Sequence, residues 1–137
     1  MRHKVLYLCI VILVSMPGCH SANRSPYDDV NNISNVSMII DNIDYESNQI
    51  TLSIVNETDC SLTYGSEYYI EIKKNDNWYS LNTDQYFNAL GYIAPPNDSI
   101  AVTIKPEKML NAGEYRIIKP IFVEQHTYYL SSTFFVP

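Results

Sequence analysis

The sequences "EYRIIKPIFV" at residues 114–123 and "TYYLSSTFFV" at residues 127–136 decide the fold class of this chain. Both runs are rich in β-branched and aromatic residues, which favour strands. In the second run Leu130, Phe134 and Val136 fall on one face, and this alternation is typical of a half-buried strand. The pattern therefore predicts that the chain ends in two long β-strands joined by a turn.

The same period of two runs through four earlier segments, at residues 36–40, 49–56, 67–74 and 99–105. Clusters of Asn, Asp, Gly and Pro separate the runs, as expected where a chain reverses direction. Six or seven strands over roughly 100 residues predict an all-β fold, an immunoglobulin-like antiparallel β-sandwich of about seven strands. An open barrel would show the same pattern, because it also buries one face of each strand.

Two local features favour the sandwich. Residues 110–115 have the Leu-x-x-Gly-x-Tyr form, with Gly113 and Tyr115, of a tyrosine corner. In a tyrosine corner the hydroxyl bonds back to the backbone of the preceding turn. Trp78 follows a turn rich in Asn and Asp, and we expect it to pack against one end of the core.

With these residues in view, residues 36–137 resemble a bacterial immunoglobulin-like domain family found in extracellular and lipid-anchored proteins. The resemblance implies a β-sandwich in an extracytoplasmic setting and no shared catalytic residues. It rests on an ordered set of segments: Ile54–Thr58, Tyr64–Ile72, Trp78, Leu110–Lys119 and Tyr129–Val136.

The N-terminus has the layout of a secretory signal peptide. A short cationic head, Met1–Lys4, precedes an uninterrupted apolar run, Val5–Val14, and small or turn-forming residues follow. The run is short for a membrane-spanning helix, although a signal-anchor helix is the alternative. Cleavage before Cys19 would remove Arg2 and Lys4 and change the net charge from −6 to −8.

Cys19 ends this leader, and Met16–Cys19 resembles the lipobox of bacterial lipoproteins. The resemblance implies that the Cys19 sulfur carries a diacylglycerol group and that Cys19 becomes the new N-terminus. Two or more acyl chains anchor a protein stably to a membrane. The predicted organisation is a signal peptide at 1–18, a flexible polar tether at 19–35 and the immunoglobulin-like domain at 36–137.

The residues that could carry chemistry are few. A net charge of −6 argues against a nucleic-acid binder. After cleavage the histidines are His20 and His126, and neither has a nucleophile motif beside it, so we predict no catalytic residues and no cofactor. Zinc would need closely spaced Cys and His ligands, and we predict no metal site. Asp41–Asp44 and Pro96–Ser99 each offer oxygen ligands for calcium, although turn-forming residues explain both segments. Cys60 offers a reactive thiol, although a small half-buried side chain is the preferred interpretation.

Exposed aromatic side chains are the stronger signal for function. A rigid sandwich that displays tyrosines makes a good recognition surface, although cross-strand pairing on a sheet would also place them there. Residues 79–96 form the longest stretch without alternation, and we predict a functional loop there. The candidate binding residues are Tyr79, Tyr86, Tyr92 and Tyr128.

We therefore predict a lipid-anchored, extracytoplasmic, non-catalytic module that binds a protein, peptide or cell-wall component. One alternative is a small hydrolase or an accessory subunit of a cell-envelope enzyme. The other alternative is a structural spacer.

Overall fold

The computed structural model describes residues 23–81 and 86–137, so the predicted signal peptide and Cys19 lie outside the described residues. Within the described residues the chain forms nine β-strands in two antiparallel sheets. No helix in this part of the chain is long and apolar enough to cross a membrane. The strands are β1 (Val36–Asp44), β2 (Gln49–Asn56), β3 (Leu62–Gly65), β4 (Tyr69–Lys74), β5 (Asn77–Ser80), β6 (Gly91–Ala94), β7 (Asp98–Ile104), β8 (Gly113–Val123) and β9 (His126–Val136).

The smaller sheet has the order β1-β2-β7. β2 is its central strand, and its alternating residues Ile50, Leu52 and Ile54 are buried. Leu52 lies opposite Ile40 on β1 and opposite Val102 on β7. The alternation predicted for residues 49–56 therefore directs one face of this sheet into the core.

The larger sheet is built on β8. Strand β9 pairs with β8 along its whole length, from Gly113 to Val123. The other edge of β8 is shared, because β4 pairs with residues 115–118 and β3 pairs with residues 121–122. β5 pairs with β4, and β6 pairs with β3. Strands β5 and β6 therefore lie end to end along one outer edge of the sheet.

The core lies between the two sheets and confirms the predicted all-β, immunoglobulin-like sandwich. The described residues form nine strands rather than about seven. The additional strands β3, β5 and β6 have four residues each, which is too short to show a period of two. The largest wholly buried apolar side chains are Leu52, Ile54, Leu62, Ile117, Ile121 and Leu130 on the core side.

Two side-chain-to-backbone contacts hold turns to the sandwich. The Tyr115 hydroxyl donates to the Asn111 carbonyl at 2.8 Å, which is the geometry of a tyrosine corner. Asn56 is fully buried, and its amide donates to the carbonyls of Cys60, Ala94 and Pro95 at 2.9, 3.2 and 2.8 Å. Asn56 therefore ties the β2–β3 turn to the end of β6.

The segment predicted as a flexible tether differs from this expectation wherever the structure describes it. From Asn23 onward the backbone is hydrogen-bonded to the larger sheet, first at Ser80 and later at Tyr129. Polar composition without a period favours disorder, but these residues gain partners that only the folded sheet supplies. We refer to residues 23–31 as the strap.

Candidate binding groove and the strap

A groove opens between the two sheets where the β6 edge faces β7. It has a volume of about 740 Å³. One wall is aromatic, and the other is formed by five consecutive residues of β7 and its end, Ala101 to Lys105. We call this the tyrosine groove; its aromatic lining is Tyr64, Tyr68, Tyr86, Phe87 and Tyr92.

Ring contacts fix the aromatic wall. Tyr64 on β3 and Tyr92 on β6 are cross-strand partners, and their rings stack with centroids 5.4 Å apart. Tyr68 meets Phe87 edge to face with centroids 5.5 Å apart, and the Tyr68 hydroxyl donates to the Lys105 carbonyl at 2.8 Å. Such pairs contribute about 0.5–1.5 kcal/mol each beyond the burial of their area. The wall is therefore pre-formed by contacts within the chain.

Lys119 lies behind this wall, at the place where β3 and β4 separate. Its side chain is fully buried, and its amine donates to the carbonyls of Gly65 and Glu67, the second at 2.7 Å. Gly65 is the last residue of β3, and Glu67 lies in the connection to β4. In this connection the chain is not paired with β8. The amine also lies 5.4 Å from the centroid of the Tyr64 ring.

Burial lowers the pKa of Lys119 to about 8, while the nearby Glu67 carboxylate acts in the opposite direction. Burial thus disfavours the charged ammonium form of Lys119 relative to the neutral amine, and its hydrogen bonds to the two carbonyls offset part of this free-energy cost. Lys119 keeps backbone oxygens paired at the interruption of the sheet, and in this way it supports the position of Tyr64.

The four candidate tyrosines occupy three separate places. Tyr86 and Tyr92 both line the tyrosine groove. Tyr79 is opposite Ile72 within β5, and Tyr128 lies on β9 beside the strap, partly packed against the core. The segment 79–96 is also not one loop, because β5 and β6 form its two ends. The groove therefore includes half of the predicted binding residues.

The strap crosses the outer face of the larger sheet. The Ser80 amide donates to the Asn23 carbonyl and the Ser25 amide donates to the Trp78 carbonyl, each at 2.9 Å. The strap then reaches the far edge, where the Asn31 amide donates to the Tyr129 carbonyl at 2.8 Å. Between these points the Tyr27 ring packs against the rings of Tyr69 and Tyr129.

A buried ion pair lies beneath the strap. Arg116 Nε donates to the Glu71 carboxylate at 2.6 Å, and Glu71 is fully buried. Arg116 Nη2 donates to the Ser25 hydroxyl at 3.1 Å and to the Tyr27 carbonyl at 3.0 Å. The strap thus supplies two of the acceptors that keep this guanidinium paired away from water.

Trp78 belongs to this cluster and not to the core, where the sequence predicted it. Its ring lies 4.7 Å from the Arg116 guanidinium carbon, an arrangement that favours a cation over an aromatic face. Strand alternation explains the difference. Trp78 is the cross-strand partner of Lys73, so the two side chains lie on the same face of the sheet. Ile72, the residue before Lys73, packs against the core, so Lys73 and Trp78 face away from the core.

This ion pair was not predicted from the sequence. The signal that could have found it is a charged residue inside a strand that is otherwise apolar, which applies to both Arg116 and Lys119 in the run 114–123. Buried charges are almost always paired. Glu71 lies within the alternating segment 67–74, but the strap that buries it was predicted to be a flexible tether free of the sheet.

The remaining candidates have ordinary environments. Cys60 is exposed and unpaired with another cysteine in the described residues. The Asp44 carboxylate accepts from the amides of Glu46 and Ser47 and from the Ser47 hydroxyl, and these bonds lower its pKa. Asp44 is therefore occupied by its own turn. In the part of the chain that the structure describes, no three His, Cys, Asp or Glu side chains group as metal ligands.

Comparison with known proteins agrees with this architecture. A family model described as a bacterial Ig-like domain matches residues 32–134. The match begins four residues before the predicted boundary at Val36 and includes most of the described chain. Searches of curated proteins and of solved structures each found no match.

Proposed function

The chain belongs to the bacterial Ig-like domain family, and from this premise we propose that it is a non-catalytic binding module, lipid-anchored at Cys19 on the extracytoplasmic side of the membrane. The tyrosine groove is its binding surface. The observation that carries the binding role is the groove itself, a pre-formed space of about 740 Å³ with five aromatic side chains on one wall.

The chemistry of the groove fits binding through apolar contact. Ligand sites are concave and lined mainly by apolar and aromatic groups with a few polar ones. The charged residues in this lining are Lys105 and Glu107, one of each sign, so the groove has little net charge. Tyrosine rings offer a large contact area and lose few rotors on binding, which favours them as anchors.

The proposed anchor rests on the lipobox-like Met16–Cys19 and on the signal-like leader before it. Its test is the mass of the mature N-terminal peptide, isolated from bacterial membranes. We expect an N-terminal Cys19 that carries acyl chains. An unmodified Cys19, or a mature chain that begins elsewhere, would contradict the anchor.

The binding role is tested by capture of partners from native membranes by full-length chains, with crosslinking and mass spectrometry. The groove variant is Tyr92→Ala, and the matched control is Tyr45→Ala, because these tyrosines are 41% and 43% exposed. Tyr45 does not line the groove, and its hydroxyl donates to the Phe135 carbonyl. We expect Tyr92→Ala to lose partners that Tyr45→Ala retains. Equal capture by both variants would refute a binding role for the groove.

A further inference from the structure

Residues 86–97, which we call the apolar edge, form a surface without charge. No Asp, Glu, Lys or Arg occurs from Gln85 to Asn97, although 18% of the chain is charged. Three of its large side chains are far more exposed than usual, with Tyr86 at 97%, Leu90 at 61% and Ile93 at 64%. A contiguous group of exposed apolar side chains marks a surface that contacts a membrane or another molecule.

The apolar edge continues onto the neighbouring strands. Ile93 on β6 lies opposite Thr63 on β3, which in turn lies opposite Phe122 on β8. Cross-strand partners share a face, so Phe122, which is 38% exposed, extends the same surface. Tyr86, Leu90 and Phe122 together line an open hollow of about 490 Å³ on this side of the sheet. Because the hollow is open to solvent, it presents a broad surface and not an enclosed ligand pocket.

The strap begins on the same side of the molecule. Asn23 is hydrogen-bonded to Ser80, and the next residue of that edge, Leu81, is bonded to Ile70. Strand β6 begins at Gly91, which lies opposite Gly65. Gly65 and Ile70, the partners of Gly91 and Leu81, are five positions apart along the chain. The start of β6 is therefore within about 17 Å of Leu81 along the edge. Asn23 is also the end of the strap that is nearer to Leu81, because Ser25 pairs farther along, at Trp78.

The length of chain before the strap then restricts where a membrane can lie. Cys19 precedes Asn23 by four residues, and four residues span at most about 14 Å. A bilayer that holds acylated Cys19 is thus within about 14 Å of Asn23, which is hydrogen-bonded to Ser80 at the β5 end of this edge. We infer that the partner of the apolar edge is this bilayer, with Tyr86, Leu90 and Ile93 in its headgroup region.

This inference rests on the proposed lipid anchor. It also concerns the tyrosine groove, because Tyr86 and Tyr92 of the groove lie within the apolar edge. The attraction is apolar, because the cleaved chain, with a net charge of −8, gains nothing electrostatically from an anionic surface. Insertion stops at the headgroups. In the described chain β6 pairs only with β3, and its unpaired backbone groups need polar partners that the hydrocarbon region lacks.

The test measures the depth of single labels on the full-length chain matured in bacteria and reconstituted into phosphatidylcholine vesicles. A Cys60→Ser background removes the exposed thiol. Fluorescent labels are placed at Ile93→Cys and at the matched control Ile39→Cys, an isoleucine that is 51% exposed on β1. β1 contacts β9 and not β6, so it lies on the opposite side of the sandwich. The vesicles contain lipids with nitroxide headgroups, which quench nearby fluorophores.

We expect the Ile93→Cys label to lose emission, as for a group at headgroup depth, and the Ile39→Cys label to keep its emission. A Leu90→Cys label should behave like the Ile93→Cys label. Trp78 emission checks that each labelled chain is folded. Acylated chains in which the labels at positions 93 and 39 are quenched equally, or not at all, would overturn the inference and leave the anchor intact. Chains without acylated Cys19 would remove the anchor and the inference together.

Discussion

The substitution Arg116→Met tests whether the strap is held by the buried ion pair. It removes the bond from Nε to Glu71 at 2.6 Å and both bonds from Nη2 to the strap, at Ser25 and Tyr27. Methionine preserves much of the volume of the arginine stem, so the packing change is small. The main consequence is that Glu71, which is fully buried, loses its cation.

The expected loss of stability follows from that unpaired carboxylate. Removing one partner of a buried ion pair costs about 3–5 kcal/mol, whereas replacing both partners by groups of similar volume is often neutral. The double variant Glu71→Met/Arg116→Met should therefore recover most of the loss. Ser25→Ala removes a single acceptor of Arg116 and should cost only about 1 kcal/mol.

The assay is urea unfolding followed by tryptophan fluorescence. The chain has one tryptophan, and its ring lies 4.7 Å from the Arg116 guanidinium carbon, so its emission reports directly on this cluster. A loss below about 1 kcal/mol for Arg116→Met would place the pair among ordinary surface ion pairs and refute the reasoning. A double variant as unstable as the single one would also refute it, since the loss could not then come from an unpaired Glu71.

Three further predictions concern single side chains. Tyr115→Phe should lower the free energy of unfolding by about 1 kcal/mol in urea, because the hydroxyl loses its bond to the Asn111 carbonyl. Asn56→Ala should cost about 2 kcal/mol in the same assay, because three carbonyls, one in the β2–β3 turn and two at the end of β6, lose their donor. Lys119→Met should reduce the dependence of the free energy of unfolding on pH. The pKa of Lys119 is about 8 when folded, against an ordinary value of 10.5, so wild-type stability should rise relative to the variant between these pH values in unfolding curves.

The parts of the fold that could be predicted are the strands that show a period-two alternation of apolar residues or a long run of β-forming residues. The sequence of β9 directs Leu130 and Phe134 to the core by alternation, whereas β8, which is buried on both faces from Tyr115 to Ile121, is recognised by its length and its β-forming residues. The Leu-x-x-Gly-x-Tyr form around Gly113 likewise located the contact between Tyr115 and Asn111, because both partners are four residues apart. Local patterns therefore predict local contacts and the fold class.

The missed features depend on contacts between distant parts of the chain. Arg116 and Ser25 are 91 residues apart in sequence, and Arg116 and Glu71 are 45 apart. No local period indicates such a pairing. The same limit applies to the residues of the tyrosine groove. Tyr64 and Tyr92 line one groove because β3 and β6 pair, and β6 is too short to be predicted from its four residues.

A comparison of two shortened chains, one beginning at Asn23 and one at Val36, tests where the domain begins. The strap's hydrogen bonds stabilise it by about 1 kcal/mol each, whereas ordering its backbone costs about 1–2 kcal/mol per residue, so the hydrogen bonds alone do not hold it on the sheet. The balance then depends on apolar burial. Ile118 is fully buried on the face that the strap crosses, beside the ring contact of Tyr27 with Tyr69. Burial of one isoleucine contributes about 1.5–3 kcal/mol. We therefore expect the chain that begins at Val36 to be less stable by about 2 kcal/mol in urea, with red-shifted emission from Trp78. Equal stability of the two chains would show that the strap rests on the sheet without contributing to its folding, and the boundary at Val36 would then be the physical one.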